Sequence, residues 1–226
     1  MREIINVAID GPAGAGKSTV ARAAAKALGY IYVDTGALYR AVGLNAIRNG
    51  VITDDAEAVT ATLGSITVEL KFENGEQLVL LNGENVSSEI RTPDASMAAS
   101  NVSAIPAVRA FLFDLQRDIA AKNDCIMDGR DIGTVVLPDA QVKIFLTASP
   151  EIRAKRRYDE LIEKGQQVEF YDVLDDLIKR DYNDSHREVA PLRPADDGVI
   201  VDTSELNLEE SINKVIEVIE EKTNEY

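Results

Sequence analysis

Short apolar runs along this chain are separated by longer stretches in which apolar residues recur every three or four positions, a pattern that predicts strands alternating with helices. "IINVAI" (4–9) is a β-branched strand. After a glycine-rich loop, "STVARAAAKAL" places Val20, Ala24 and Leu28 at helical spacing, and Gly29 stops that helix. "YIYV" is a second strand, followed by the helix "ALYRAVGLNAIRNG" with Leu38, Val42 and Ile47 inward and Gly50 as its stop. Between about 64 and 90 the period changes to two. "SITVELKF", "EQLVLLNG" and "ENVSSEI" predict a small antiparallel sheet, turned at Glu73-Asn74-Gly75-Glu76 and Asn82-Gly83-Glu84, because Asn-Gly favours tight hairpins.

"TPDASMAASNVSA" follows, then a helix in "IPAVRAFLFDLQRDIAAK", with Pro106 in its first turn and Val108, Phe111, Leu112 and Leu115 on one face. "CIMD", "VKIFL" and "GVIVDTS" return to strand. The helices "SPEIRAKRRYDELIEKG" and "EFYDVLDDLIKRDYNDSHR" separate the last two, and "NLEESINKVIEVIEEK" closes the chain. Five apolar strands separated by helices imply an α/β fold: a five-stranded parallel sheet covered by helices on both faces, binding ligands outside the strands' carboxyl ends. One domain, 1–226, is expected, with residues 64–90 as its antiparallel insert.

Charge narrows the partners. The net charge of -15 argues against a nucleic-acid groove or an anionic membrane surface, both of which need a basic patch. Yet seven of the 14 arginines, Arg130, Arg153, Arg156, Arg157, Arg180, Arg187 and Arg193, fall between 130 and 193, as if gathered around a small polyanion. One cysteine (Cys125) and one histidine (His186) cannot build a structural zinc site. With no run of 18 apolar residues and no leader-like start, a cytoplasmic location is expected. The end "EEKTNEY" reads as a solvated acidic face.

The chemistry begins in the first loop. Gly11-Pro12-Ala13-Gly14-Ala15-Gly16-Lys17-Ser18, followed by Thr19, has the spacing of a phosphate-binding loop between a strand and a helix. Its glycines let backbone N–H groups turn toward phosphate oxygens, Lys17 reaches the terminal phosphates, and Ser18 suits Mg2+. Asp128, at the end of "CIMD", is placed to hold Mg2+ through water, and Gly129-Arg130-Asp131 adds charge at a strand's carboxyl end. A GTP switch would need Asn-Lys-x-Asp after a strand, whereas Lys122-Asn123-Asp124 precedes one. The spare anion-binding groups far from the loop favour a kinase with an acceptor site.

"DGPAGAGKST", "DTGALYR", "NGENVSSEIRT", "DGRDIGTVVLPDA", "KIFLTAS" and "RDYNDSHREVAPLRPA" together resemble the bacterial cytidylate kinases of the nucleoside monophosphate kinase superfamily, from about residue 3 to 220. The resemblance implies a P-loop kinase fold whose monophosphate-binding region carries the 64–90 insert, and a short arginine-bearing lid over 153–168. It implies that Gly11 to Thr19 hold ATP and that Thr35, Arg40, Ser100, Arg109, Arg130, Asp131, Arg180, Asp184 and Arg187 surround CMP or dCMP. Thr35 stands where the family often has Ser, which keeps the hydroxyl. Lys17, Arg130, Arg187 and Asp128 are the expected catalytic set, and a monomer is expected.

Transfer to a phosphate oxygen needs no general base, which suits a chain with one histidine; it needs alignment and cancellation of charge. Arg153, Arg156 and Arg157 at i, i+3, i+4 would form one cationic face toward ATP, and Arg180, Asp184 and Arg187 a second, although exposed ion-paired helices share these spacings. Asp131 could accept from the cytosine amine while Arg109 and Ser100 donate to N3 and O2. A UMP or AMP kinase remains an alternative, as does a regulatory protein that binds ATP without transferring phosphate. His186 reads as a surface residue.

Overall fold

The computed structural model describes residues 4–73 and 75–224; Asn74 of the first expected hairpin turn and residues 225 and 226 of the acidic end lie outside them. In chain order the elements are β1 (Asn6–Asp10), α1 (Lys17–Leu28), β2 (Ile31–Asp34), α2 (Thr35–Arg48), α3 (Ala56–Leu63), β3 (Val68–Glu73), β4 (Glu76–Leu81) and β5 (Glu84–Asn85). They continue with α4 (Pro93–Val102), α5 (Pro106–Ala120), β6 (Cys125–Gly129), β7 (Val142–Thr147), α6 (Pro150–Glu163), α7 (Phe170–His186), β8 (Val199–Asp202) and α8 (Leu208–Thr223). Five strands form one sheet in the order β2-β6-β1-β7-β8, and β3-β4-β5 form a separate one. The expected parallel sheet and antiparallel insert are both present: β1 pairs in parallel with β6 and β7, β7 with β8, and β4 runs antiparallel to β3 and β5.

The chain divides into two compact units, one comprising residues up to Tyr30 with those from Asp124 onward, the other Ile31–Asn123. In the first, Val7, Ala8 and Ile9 of β1 and Ile126 and Met127 of β6 are wholly buried, as a strand with helices over both faces requires. α1 packs on β6 and α8 through its small residues, Ala21, Ala24 and Ala25 among them. This packing leaves the carboxyl ends of β1 and β6 side by side, with Ile9 opposite Asp128 and Asp10 opposite Gly129.

In the second unit one apolar core joins α2, α4 and α5 to the small sheet through Leu38, Val42, Val79, Val102, Val108 and Leu112. Gly43 lets α2 meet α4, since a Cβ there would lie 2.7 Å from that of Ala98. Asn82 and Gly83, at φ +52° and +81°, form the expected β4–β5 turn, with both central residues in the left-handed region. The third period-two segment is shorter than its pattern: the strand ends at Asn85, where the Ser87 side chain accepts from Val79 N–H at 2.9 Å, and Glu89–Arg91 form a 3₁₀ turn. α3 and α4 lie in stretches whose polar and small residues hide the helical period. Their starts are set by caps, Asp55 accepting from Ala58 N–H at 3.0 Å and Thr92 from Ala95 N–H at 3.1 Å. Among the described residues no helix is long and apolar enough to cross a membrane.

Candidate functional site

The first unit builds the phosphate loop where β1 ends. Gly11 has φ +153°, and a Cβ would sit 2.0 Å from the Leu146 carbonyl oxygen of β7, so the loop leaves the sheet along a path only glycine permits. Gly16, at φ +82°, precedes α1 without a capping side chain, leaving the helix's first N–H groups for an anion. Lys17 is buried and donates from Nζ to the Pro12 carbonyl at 2.8 Å. Its burial, followed by repulsion from Arg130, brings its pKa down to about 7 against the attraction of Asp128, Asp10 and Asp184. Ser18 Oγ donates to Asp128 Oδ2 at 2.9 Å. This hydroxyl–carboxylate pair at the loop fits a hard cation, because Mg2+ takes few oxygens from protein and the rest from phosphates and water.

After β6 the chain enters a π-helical turn, Ile132–Val136, that the sequence pattern did not reveal. Asp131 precedes it, buried, with its Oδ1 3.4 Å from Arg187 Nη2. Arg130 Nε lies 2.8 Å from Asp184 Oδ2 on α7. Arg180, one turn before Asp184, is half-buried, and that burial, then repulsion from Arg130, lowers its pKa; Arg157 also repels it. Arg180 is thus held within reach of two further like charges, an arrangement that an arriving polyanion relieves. Arg187 ends α7 and also donates from Nε to the Ala190 carbonyl at 2.5 Å.

The three arginines of α6 do not share one environment. Arg153 is 3% exposed, with Nη2 2.6 Å from Asp181 Oδ2, Nη1 donating to the Ala13 carbonyl at 2.8 Å and Nε to that of Ala148 at 2.9 Å. Asp181 also accepts from Ala13 N–H at 3.4 Å, so this pair clamps Ala13 of the loop at both its N–H and its carbonyl. Arg156 donates to Thr203 Oγ1 and to the carbonyls of Thr203 and Leu206. Arg157 pairs with Glu160 at 2.7 Å, its side chain 38% exposed against 4% for that of Arg153.

The remaining residues expected around CMP belong to the second unit. Asp34 caps α2 by accepting from Ala37 N–H at 3.0 Å, which sets the buried Thr35 in the first turn. Arg40, one turn on, lies 2.6 Å from Asp34 Oδ2 and keeps its buried Nε without a hydrogen bond. Ser100 lies on α4. Arg109, on α5, is buried, donates to the Ser103 carbonyl at 3.4 Å and lies 5.9 Å from the centre of the Tyr39 ring.

A family model described as cytidylate kinase matches residues 7–221, nearly the whole chain. The chain belongs to the cytidylate kinase family. A cytidylate kinase from Caldicellulosiruptor saccharolyticus is 52% identical over 214 residues, covering 95% of each chain, and one from Lactobacillus johnsonii is 51% identical over 97% of this chain and 95% of its own. A crystal structure of an uncharacterized protein from Eubacterium ventriosum, 13% identical, superposes with a TM-score of 0.50 over 96% of this chain and 98% of that one. That likeness concerns the fold.

Two residues that the sequence pattern does not single out hold parts of this arrangement in place. Asp10 carries the same signal as Asp128, an acid closing an apolar strand. Asp181 carried none, since its partner Arg153 is 28 residues away and only the packing of α6 on α7 brings them together.

Proposed function

We propose that this kinase transfers the γ-phosphoryl group of ATP to CMP, and to dCMP, giving ADP and CDP or dCDP. The observation that carries the reading is the cluster itself: Lys17 of the phosphate loop lies within repulsive reach of Arg130, and Arg180 within that of Arg130 and Arg157, so donor and acceptor phosphates have adjoining cationic seats in one unit. Gly11 to Thr19 cradle the ATP phosphates, with Pro12, Ala13, Gly14, Ala15 and Gly16 turning backbone toward them. Of the α6 arginines, Arg157 is the one available to ATP; Arg153 and Arg156 serve it by holding the loop and its surroundings in place.

Arg130, Arg180 and Arg187 grip the acceptor phosphate. One of its oxygens forms the new bond to the γ-phosphorus while the bond to the β–γ bridging oxygen breaks and ADP leaves. Lys17 follows the charge that develops on the transferring group. Ser18, and Asp128 through water, would hold Mg2+, whose role is to neutralise the β- and γ-phosphates. Asp131 accepts from the cytosine amine, and Asp184 takes a sugar hydroxyl. In the second unit we assign CMP contacts to Thr35, Arg40, Ser100 and Arg109. The reading goes with a monomer acting in the cytoplasm without nucleic-acid or membrane partners.

Phosphorus NMR of the purified chain with ATP, Mg2+ and CMP tests the proposal. ADP and CDP appearing one for one support transfer. ADP accumulating with inorganic phosphate, or ATP bound and unchanged, would contradict it and favour a regulatory ATP-binding protein.

A further inference from the structure

Asp10 closes β1 one residue before the phosphate loop, and backbone groups from a distant part of the chain occupy its carboxylate. Oδ1 accepts from Ile132 N–H and Oδ2 from Gly133 N–H, each at 2.8 Å, with the residue 5% exposed. Ile132 and Gly133 open the π-helical turn that follows Asp131. Asp131 stands in the capping position of that turn, at φ -147° and ψ 26°, but its own side chain does not cap it. Asp10 supplies the cap from the neighbouring strand instead, which leaves Asp131 to pair with Arg187. A tie of this kind carries a cost: burial, with the charge of Asp131 adding to it, raises Asp10 to about pKa 6 against the two backbone hydrogen bonds and Lys17.

We infer that Asp10 is a positioning residue for base recognition: by holding the first two N–H groups after Asp131, it fixes the base-reading carboxylate to the strand that feeds the phosphate loop. Other roles suit it less. Both oxygens already accept N–H donors, so it is poorly disposed to take a cation that Ser18 and Asp128 can hold, and transfer between phosphates gives it no proton to remove. An asparagine would accept one N–H and turn its own NH2 toward the other, leaving the turn held by one bond. The inference rests on Asp131 reading cytosine, and its test separates the two.

The experiment compares kcat/KM for CMP and UMP, and KM for ATP, in the wild-type chain, Asp10→Asn, Asp131→Ala and the double variant. If Asp10 acts through Asp131, Asp10→Asn lowers kcat/KM for CMP about tenfold to 10²-fold, as a displaced recognition group does. UMP and the KM for ATP then change little, and Asp10→Asn adds nothing to Asp131→Ala. Equal losses with CMP and UMP, a raised KM for ATP, or additive losses in the double variant would overturn the inference while leaving the reading of Asp131 intact. If Asp131→Ala itself leaves the CMP-to-UMP ratio unchanged, the base reading fails and the inference with it. Should Asp10→Asn not fold by circular dichroism, Asp10→Glu, which keeps the charge and displaces it by one methylene, is judged by the same outcomes.

Discussion

Ser18 Oγ and Asp128 Oδ2 stand 2.9 Å apart, although 110 positions separate the two residues in the chain. Two facts of folding bring them together: β1 and β6 are parallel neighbours with Ile9 opposite Asp128, and the glycine loop returns α1 over the end of that pair. A hydroxyl and a carboxylate at that distance beside a phosphate loop suit a divalent cation shared with nucleotide oxygens. Asp128→Asn is therefore expected to raise the Mg2+ concentration for half-maximal rate by roughly tenfold or more, the usual cost of an outer-shell ligand. A titration of rate against Mg2+ checks this.

Lys17 is held where it costs stability. Its folded pKa, about 7, lies below the ordinary 10.5, so below pH 7 the buried charge weighs on the folded state in full, and stability rises as pH climbs from about 7 to 10.5. Asp10, raised from 3.8 to about 6, runs the other way: its favourable contribution is complete below pH 3.8 and is lost as pH rises through 6. Lys17→Met should accordingly raise the melting temperature of the ligand-free protein at pH 7 by at least about 4 °C, one to two kcal/mol for a chain of this size. The same change should cut turnover by roughly 10²-fold or more through loss of a preorganised charge. Calorimetry and a turnover assay on the same preparation check both.

ATP binding should be linked to proton uptake. At pH 8 the Lys17 amine is mostly neutral in the ligand-free protein, whose pKa there is about 7, and phosphate oxygens beside it restore the ammonium. Titration calorimetry at pH 8 in two buffers of different ionisation enthalpy should therefore show uptake of about one proton per ATP. Lys17→Met should abolish the buffer dependence.

Breaking the Arg153–Asp181 pair should act on folding before catalysis. Arg153→Lys keeps one charge but not the three-way bonding to Asp181, Ala13 and Ala148, and losing part of a buried pair costs about 3 kcal/mol. A melting temperature lower by roughly 6–12 °C is expected. A raised KM for ATP with unchanged melting would instead make Arg153 a direct nucleotide contact.

Much of this organisation is written locally in the chain. The period-two segments of the insert, the strand–loop–helix around Gly11 to Lys17 and the apolar strand ending in Asp128 each announce themselves within a few residues, because strand pleat, glycine conformation and helix period are local properties. What stayed hidden depends on partners. α3 and α4 take their starts from the caps Asp55 and Thr92 rather than from a strong apolar stripe. The turn 132–136 donates its first two N–H groups to Asp10, on another strand. The spacing of Arg153, Arg156 and Arg157 suggested one cationic face, but spacing does not say which side of a helix is covered, and the Asp181 clamp turns Arg153 into the interior.

The central claim, that phosphoryl transfer goes selectively to a cytosine monophosphate, is tested most directly by steady-state kcat/KM for CMP, dCMP, UMP, AMP, GMP and dTMP at fixed ATP and Mg2+. The account predicts CMP and dCMP well above the rest, with UMP lower by a factor on the order of 10⁴ at the limit set by an unpaired buried carboxylate. UMP or AMP equal to CMP, or no monophosphate accepted at all, would contradict it.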